Sequence, residues 1–455
     1  MRYKYTVVFL LICASTFSQT SDSLILRRIY DVYLTQGSCY SNLAYLTSRI
    51  GGRLSGSAQA AQAVEWAKKA MYAAGADTVM LQPCLVPHWV RGKKEKCILM
   101  SGQSQTGLKA VALGSSVGTG SNGINAEIIE IKNFDELEQL GEKNIRGKVV
   151  FYNVFFNQAH VRPGQAYGET VGYRSRGASQ AAKYGAVAIL VRSMTSLADD
   201  EPHTGNMNYD TAVSKLKIPA FALSYVAADQ LSEALKQNKL TKIYLESHCE
   251  TLPPVQSYNV VGQLNGSQKP NEFILAGGHL DSWDLAQGAQ DDGAGVVQCI
   301  DLLAAFKKLG IRPKHSIRVV AFMNEENGLA GGRVYAKLAE EKREVHLAAL
   351  ETDAGGYTPR AFGVDTTKGL FDLVVTWKKL FTPYLIDQIK KDGEGADISV
   401  IKRAGVPCMA FEPDQQRYFD IHHTAQDTFD KVNKRELELG AAAIGALIYL
   451  IDLYY

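Results

Sequence analysis

The sequence predicts an α/β fold: a three-layer αβα sandwich around a mostly parallel mixed sheet, with a second, inserted module. From Phe273 onwards, apolar runs of strand length alternate with amphipathic runs of helix length. This alternation implies right-handed crossovers and a sheet that helices cover on both faces. Residues 124–244 break the alternation with several short strand-like runs. The chain has 455 residues, 46% of them hydrophobic, which is enough for the core that such a fold requires.

Residues 19–120 are assigned to the first part of the main domain. Two helices and then two short strands are predicted there, at Ser21–Thr35, Ser57–Ala74, Thr78–Gln82 and Lys94–Met100. Gly75 closes the second helix. Residues 101–123 are rich in Gly and Ser and contain few large apolar side chains, which suits a surface crossing between domains. A domain boundary is therefore placed near residue 120.

Residues 121–248 are assigned to the inserted module, and residues 249–455 to the second part of the main domain. The module is predicted to contain four strands and one helix, at Ala126–Ile131, Gly147–Tyr152, Ala186–Val191, Ala220–Leu223 and Ser175–Tyr184. In the main domain, strands are predicted at Phe273–Gly278, Ser316–Met323 and Leu347–Glu351, and helices at Gly293–Leu309, Gly331–Lys342 and Lys434–Leu453. The strands and helices alternate as a parallel sheet requires.

Residues 1–18 have the features of a secretory signal peptide, with cleavage expected near Ser18. Two basic residues precede a short apolar stretch, and small polar residues follow it. The apolar stretch is shorter than the roughly 20 residues of a bilayer-spanning helix. Bulky Ile12 before Cys13 argues against a lipid anchor. We therefore expect a secreted protein, extracellular or periplasmic, without stable membrane insertion.

The cysteines and the charge balance narrow the classes of site and partner. The six cysteines beyond residue 18 are scattered singly, which disfavours a cysteine-bound zinc site. Cys299 and Cys408 lie in apolar runs and are expected to be buried thiols, whereas one disulfide among the others is left open. The formal net charge is +2 and there is no basic stripe, so nothing in the sequence supports a nucleic-acid partner.

Acidic and imidazole side chains follow three of the predicted strands. These strands run directly into His279, the pair Glu325 and Glu326, and Asp353. Because the carboxyl ends of parallel strands lie at one edge of a sheet, we expect these side chains to meet. So many acids would repel one another unless cations neutralised them. The pattern therefore predicts a hydrolase with two zinc ions per chain.

The local pattern suggests a role for individual acids. Asp281 lies two residues after His279, where a carboxylate can orient a metal-bound imidazole. Asp291 precedes a predicted helix and could cap it, or its two oxygens could bridge two cations about 3.5–4 Å apart. Neighbouring residues at a strand end point in opposite directions, so one of Glu325 and Glu326 can bind metal while the other handles protons. A solvated acidic pair is the alternative.

A second nitrogen ligand for the predicted metal site is expected among the remaining histidines. His423, which follows His422, completes a set that is otherwise short of nitrogen ligands, although two surface histidines would give the same pattern. The other histidines are expected on the surface or in loops: His88, His160, His203, His248, His315 and His346.

These residues resemble peptidase family M28, a family of di-zinc exopeptidases. The resemblance extends from about residue 24 to the C-terminus and rests on four motifs. They are Gly277-Gly278-His279-Leu280-Asp281-Ser282, residues 288–295, Asn324-Glu325-Glu326-Asn327-Gly328, and His423-Thr424 with Asp427-Thr428. Residues 50–57 and 175–178 resemble the carboxypeptidase Q branch of that family. Residues 124–244 resemble the protease-associated domain that such proteins carry as an insertion.

The resemblance implies a role for each candidate metal ligand. His279 and Asp353 would be terminal ligands of one zinc ion, and Glu326 and His423 would be terminal ligands of the other. Asp291 would bridge the two ions.

The resemblance also implies the chemistry. Glu325 would be the general base that takes a proton from a zinc-activated water and passes it to the leaving amine, and Asp281 would support His279. Asp397 would lie near the substrate. Unblocked dipeptides or short peptides with a free terminus are the expected substrates, with aminopeptidase action on longer peptides as the alternative. A homodimer is expected by the same analogy.

Two other functional classes are compatible with this fold. Receptor-like relatives keep the fold and lose the metal ligands, and glutaminyl cyclases carry out acyl transfer with one zinc ion. Here every ligand position is filled, and the cyclases lack the inserted domain, so peptide hydrolysis is favoured. A metal count of one per chain would favour the cyclase class instead.

Overall fold

The computed structural model describes residues 21–238 and 241–455, and these form two eight-stranded mixed sheets. The strands of the first sheet lie in the spatial order Thr78–Val90, Glu250–Leu264, His315–Phe322, Lys269–His279, Val345–Glu351, Cys408–Pro413, Pro359–Val364 and Gln388–Lys390. The four central strands, from the third to the sixth in this order, are parallel to one another. In the part of this first sheet that the structure describes, antiparallel pairing occurs only towards its two edges.

Helices cover both faces of the first sheet. Ile274 packs into the hydrophobic cluster on one face, and the next residue, Leu275, packs into the cluster on the other. Side chains alternate across a strand, so both faces of this strand are buried. The helices on the first face are residues 21–36, Cys39–Tyr45, Ala58–Ala73, Ala294–Leu309, Leu370–Thr376, Lys378–Phe381 and Lys434–Tyr454, and those on the second are Ala330–Glu341 and Ser399–Lys402.

The C-terminal helix Lys434–Tyr454 belongs to the core. It is long and apolar enough to cross a membrane by composition alone, and it is the one such helix within residues 21–238 and 241–455. Of its most apolar window, 78% is buried inside the protein, where it packs on the helix Ala294–Leu309. This burial accounts for its apolar composition.

The second sheet lies within one interruption of the first. Its strands follow the spatial order Ser104–Gly107, Lys96–Ser101, Lys242–Glu246, Ile124–Ile131, Val149–Tyr152, Ala188–Arg192, Ala220–Leu223 and Ala110–Ala112. Its helices are Phe134–Ile145, Pro163–Ala182 and Tyr225–Gln237. We call residues 96–246 the insert, because they separate the first-sheet strands Thr78–Val90 and Glu250–Leu264.

The insert begins earlier than the predicted boundary near residue 120. Lys96–Ser101 pairs with Lys242–Glu246 and therefore belongs to the second sheet, not to the main domain. Residues 101–123, predicted to be a surface crossing, contain the strands Ser104–Gly107 and Ala110–Ala112. All four residues of Ser104–Gly107 are exposed, so this edge strand has no hydrophobic periodicity for a sequence reading to detect.

Other predicted elements are present, with shifted ends. The predicted strand Thr78–Gln82 continues to Val90 through Pro83 and Pro87, which an edge strand tolerates. The predicted helix Ser175–Tyr184 is longer, spanning Pro163–Ala182. The predicted signal peptide, residues 1–18, lies outside the described residues.

Candidate metal centre and active site

The first sheet delivers the predicted ligands to one edge. His279 is the last residue of the strand Lys269–His279, and Asp353 lies two residues beyond the strand Val345–Glu351. Glu326 lies in the loop after the strand His315–Phe322. Asp291 precedes the helix that begins at Ala294. His423 follows the short helix that ends at residue 421 and has a left-handed backbone conformation, with φ of 57°.

The carboxylate of Asp291 lies between two groups of side chains. Its Oδ1 is 3.1 Å from His279 Nε2, and the same nitrogen is 3.4 Å from Asp353 Oδ1. Its Oδ2 is 3.1 Å from His423 Nε2, and that nitrogen is 3.2 Å from Glu326 Oε2. One carboxylate therefore faces an imidazole and a second carboxylate on each side.

Two other buried aspartates near Asp291 bind backbone amides instead. Asp292 accepts hydrogen bonds from the amides of His279 at 3.1 Å and Gly295 at 3.0 Å. Asp427 accepts from the amides of Gln290 at 2.7 Å and Asp291 at 3.1 Å. These two acids hold the loop on which Asp291 sits, so the helix-capping role considered for Asp291 belongs to Asp292.

Asp281 differs from the predicted arrangement. His279 Nδ1 lies 2.9 Å from the backbone carbonyl oxygen of Asp281, so the main chain, and not the carboxylate, contacts the imidazole. The carboxylate accepts hydrogen bonds from the amides of Asn324 at 2.7 Å, Glu325 at 3.1 Å and Glu326 at 3.3 Å. The expectation that this carboxylate supports His279 is therefore wrong. It shapes the loop of the two glutamates, whose three free amides attract it.

The pKa shifts of the cluster show how strongly its carboxylates favour a positive charge beside them. Burial alone would raise the pKa of Asp291, but the adjacent imidazoles of His279 and His423 hold that pKa well below its ordinary value. Burial alone would likewise lower the pKa of His279, but Asp353 and Asp291 raise it well above the usual value. The site therefore favours positive charge between its carboxylates.

Glu325 and Glu326 face different surroundings. Burial, followed by the charge of Asp291, raises the pKa of Glu326 to about 7. Burial also raises the pKa of Glu325 well above its ordinary value, with Asp353 and Glu326 adding to the effect. Glu325 is partly exposed, whereas Glu326 is buried beside His423. The partly exposed acid is the one that a substrate can reach.

Comparison with known proteins supplies the family. The family model for peptidase family M28 matches residues 259–448. The chain is 32% identical over 440 residues to carboxypeptidase Q of Mus musculus, covering 96% of this chain and 90% of that protein. The chain belongs to peptidase family M28. It is therefore a peptidase, and its reaction is hydrolysis.

Solved structures agree with this assignment. An M28 peptidase precursor from Shewanella amazonensis is 33% identical, with a TM-score of 0.90 over 95% of this chain and 97% of that one. A zinc aminopeptidase from Bacillus subtilis is 18% identical, with a TM-score of 0.66 over 92% of this chain and 95% of that one, and shows the fold alone.

Arg53 braces the metal-site loop of this M28 peptidase from the side of the N-terminal helices. Its side chain is fully buried and donates to the backbone carbonyl oxygens of Leu280 at 2.5 Å, Gln287 at 2.8 Å and Gly288 at 3.0 Å. The segment that carries Arg53 is residues 50–57, one of the motifs that resemble the carboxypeptidase Q branch. A buried guanidinium with three main-chain acceptors fixes the course of that loop.

The insert also reaches the site, a contribution that the sequence interpretation missed. The amide of Thr204 donates to the carbonyl oxygen of His423 at 2.9 Å, and Arg174 Nη1 lies 3.4 Å from His423 Nδ1. His203 Nε2 lies 3.0 Å from His422 Nδ1. Phe156 of the insert packs against Phe419, just before these histidines. No sequence motif marked the insert residues as neighbours of the site.

Three of the six histidines expected on the surface or in loops are buried. His203 packs at the site, His315 pairs with Asp452, and His346 contacts Tyr335. The expectation is wrong for His315 and His346, which are buried and lie in strands. His203 lies in a loop, as expected, but is buried by contacts between distant segments. All six cysteines in the described part of the chain are buried free thiols, as expected for Cys299 and Cys408, and no disulfide joins any of them. The disulfide left open above is therefore absent from that part.

A cavity of about 490 Å³ adjoins the site on the side of Asp353. Its lining includes Glu351, Gly395, Phe411 and Gln415. The volume suits a ligand the size of a short peptide. Its position makes Asp353 the member of the cluster closest to bulk solvent, and that side chain is 27% exposed.

Proposed function

We propose that this M28 peptidase is a secreted, zinc-dependent exopeptidase that cleaves dipeptides or short peptides near a free terminus. The observation that carries the proposal is the Asp291 carboxylate, with one oxygen 3.1 Å from His279 and the other 3.1 Å from His423. A carboxylate shared in this way suits a site for two metal ions.

The unpaired oxygens of these side chains and the distances between their donor atoms fit a zinc site. Asp291 Oδ2, Glu326 Oε1 and Asp353 Oδ1 are buried oxygens without a hydrogen-bond partner among the described residues. Donor atoms of neighbouring residues lie 3.1–3.4 Å apart. Two ligands about 2.0–2.1 Å from one tetrahedral zinc ion would lie roughly 3.3 Å apart. Unpaired carboxylate oxygens beside imidazoles therefore have the chemistry and the spacing of zinc ligands.

The ligands would divide into two sets. His279 and Asp353 would hold one zinc ion, Glu326 and His423 would hold the other, and Asp291 would contribute to both. Bound zinc would supply Lewis acidity, lowering the pKa of a water and polarising the scissile carbonyl.

The remaining acids of the site position groups or move protons. Glu325, which follows the strand before the ligand Glu326 and is partly exposed, takes the proton from the attacking water at its carboxylate and delivers it to the leaving amine. Asp281 holds the backbone of Glu325 and Glu326 and so sets where both carboxylates point. The cavity beside Asp353 receives the peptide, and its limited volume favours short substrates with a free terminus.

Three further features belong to this proposal. Residues 1–18 act as the secretion signal, the insert is a protease-associated domain, and the protein forms a homodimer. The two-sheet organisation supports the second statement. The third rests only on the family resemblance described in the sequence analysis. Sequencing the N-terminus of the secreted protein tests the signal, and a stable monomer in sedimentation would refute the dimer.

The Glu325→Gln substitution tests the catalytic assignment. Glutamine keeps the size of the side chain but cannot take a proton, so we expect kcat to fall by about 10²–10⁴-fold while two zinc ions stay bound. Glu340→Gln, at an exposed position, is the matched control and keeps full activity.

Zinc content and the rates of cleavage of unblocked and blocked dipeptides are measured for the wild type and for the Glu325→Gln and Glu340→Gln variants. Activity should disappear with a chelator and return with zinc. A Glu325→Gln enzyme with near-normal turnover would refute the base assignment. Cleavage of long peptides in preference to dipeptides would refute the substrate class.

A further inference from the structure

The metal-site loop between Leu280 and Asp291 carries a tryptophan that packs into the insert. Trp283 is 5% exposed and belongs to the hydrophobic cluster of the second sheet, although it lies in the main domain. Trp89, near the end of a first-sheet strand, joins that cluster and meets Trp283 edge to face, with ring centroids 6.5 Å apart. The indole N–H of Trp283 has no hydrogen-bond partner among the described residues, so packing alone places its ring.

Gly114 of the insert forms the wall on which this indole rests. A Cβ atom at Gly114 would lie 1.9 Å from Cη2 of Trp283 and 2.4 Å from its Cζ3, so only glycine leaves room for the ring. The φ angle of Gly114 is not positive, so its backbone conformation would accept another residue. Close approach of the indole is therefore the reason for glycine at this position.

The next residue of the loop is fastened to the same part of the insert. Asp284 forms a bidentate ion pair with Arg91, with N–O distances of 2.7 and 2.8 Å. Arg91 Nη1 also donates to the carbonyl oxygen of Ala112 at 2.6 Å, two residues before Gly114. Bidentate pairs fix orientation as well as distance. Two consecutive residues of the metal-site loop are thus held at the end of the strand Ala110–Ala112.

The insert backbone around Gly114 also holds the candidate ligand His423. The Gly114 amide donates to the carbonyl oxygen of Gly205 at 2.9 Å, and the amide of Thr204 donates to the carbonyl oxygen of His423 at 2.9 Å. The rings of Trp283 and His423 meet at 63° with centroids 5.9 Å apart. The tryptophan and the histidine therefore rest on adjoining segments of the insert and contact each other.

Trp283 borders the position proposed for the second zinc ion. Together with Asp291, Glu326 and His423, it lines a cavity of about 10 Å³. Those three residues are the ligands that the proposed function assigns to that ion. The terminal ligands of the other ion follow first-sheet strands of the main domain. The insert therefore acts through Trp283 on the side of the second ion.

We propose that Trp283 is a positioning residue for the second metal position of this peptidase. Seated at Gly114, its indole holds the imidazole of His423 in place as a ligand of that ion. This inference rests on the proposed function. A ligand that packing has already ordered loses little freedom when the metal binds, so the ion binds more tightly. The insert then helps to build the metal site.

The test compares Gly114→Ala, which drives a methyl group into the indole, with Gly114→Ala/Trp283→Phe, whose smaller ring makes room for it. Trp283→Phe alone completes the cycle. Gly107→Ala is the matched control in the insert, because a Cβ atom there meets nothing within 4 Å. His423→Ala identifies the zinc-binding step that belongs to the second position.

Each protein is stripped with a chelator and titrated with zinc by calorimetry. The urea midpoint and the amide hydrogen exchange of residues 280–291 are measured without metal, and kcat and KM for a dipeptide are measured with zinc. A contact that serves stability alone would lower the urea midpoint and leave zinc binding unchanged.

We expect Gly114→Ala to weaken the second zinc-binding step about 10–100-fold, to leave the first step unchanged and to speed exchange in the metal-site loop. In the double variant the second step should recover about tenfold, because a phenyl ring does not reach as far as the outer atoms of an indole. Trp283→Phe alone removes no hydrogen bond and should have a smaller effect than Gly114→Ala. The Gly107→Ala protein should match the wild type.

Wild-type zinc binding in Gly114→Ala would overturn the inference, and so would a double variant that binds zinc no better than Gly114→Ala. If Gly114→Ala does not fold, Trp283→Leu decides the question, since it removes the ring beside His423, and an unchanged second step would refute the positioning role. If the wild type binds two zinc ions but cleaves no peptide, the proposed function fails, whereas the zinc titrations still test Trp283.

Discussion

Arg53 offers a sharp test of how the metal-site loop is held. We consider Arg53→Met, which keeps most of the aliphatic stem and removes the guanidinium. In the folded protein the three donors of Arg53 are matched by the carbonyl oxygens of Leu280, Gln287 and Gly288, all within 3.0 Å. The side chain is 0% exposed, so water does not take over these acceptors without a local rearrangement.

The magnitude follows from the number of acceptors left unpaired. A buried polar group that loses its partner costs about 1–3 kcal/mol. The carbonyl oxygens of Leu280 and Gln287 lose their donor, whereas that of Gly288 still accepts from the Gly293 amide at 3.1 Å. The two unpaired oxygens should therefore lower the free energy of unfolding by at least about 2 kcal/mol, even at the lower end of that range. Loss of the positive charge near Asp427 and Asp281 adds to this cost, because both are buried acids whose repulsion Arg53 reduces.

Urea denaturation followed by circular dichroism measures the difference, with Arg49→Met as the control. Arg49 is exposed in the same N-terminal region, and its replacement should change the free energy of unfolding by no more than about 0.5 kcal/mol. We also expect Arg53→Met to bind zinc more weakly, because the loop between Leu280 and Asp291 loses its brace. A loss below about 1 kcal/mol relative to the control would show that the three hydrogen bonds do not hold the loop.

Two further predictions concern the aspartates that bind backbone amides. Asp281→Asn should lower kcat about 10–100-fold at unchanged zinc content, because one amide oxygen cannot accept from the three amides at residues 324–326. Steady-state kinetics and metal analysis test this, and a wild-type kcat in the zinc-loaded variant would contradict it. Burial raises the pKa of Asp427 from 3.8 to about 7, so the folded protein binds this proton more tightly than the unfolded chain does. The stability that this proton binding provides is complete below the ordinary pKa of 3.8 and is lost as the pH rises through the folded pKa of about 7. For the protein treated with a chelator, the urea concentration at the midpoint of unfolding should therefore fall as the pH rises between these two pKa values. If Asp427→Asn leaves this pH dependence unchanged, Asp427 is not the group responsible for it.

The sequence predicted the central sheet and the meeting of its strand ends because both depend on local signals. Apolar runs fixed the strands before His279, Glu325 and Asp353, and parallel strands bring their carboxyl ends to one edge. The short edge strands of the second sheet gave no such signal, since Ser104–Gly107 is polar and exposed. The boundary of the insert was therefore misplaced although its buried strands, such as Ala220–Leu223, were found.

The neighbours that the insert supplies could not be predicted from the sequence. His203 lies in a polar stretch, with Asp199, Asp200 and Glu201 just before it, and such composition indicates a surface loop. Its burial arises only when the second sheet packs against the segment before His423, a contact between residues more than 200 positions apart. Periodicity and capping rules describe one element at a time, so they carry no information about this contact.

The hydrogen bonds of the carboxylates separate the structural acids from the ligand candidates. Asp281, Asp292 and Asp427 are buried, and both oxygens of each accept from backbone amides. Asp291 and Glu326 are equally buried, yet each keeps an oxygen with no hydrogen-bond partner in the described part of the chain. A buried carboxylate without donors is costly unless a cation faces it. The adjacent pair Asp291 and Asp292 thus differ in function through the donors that the fold supplies, which a motif of two successive aspartates cannot reveal.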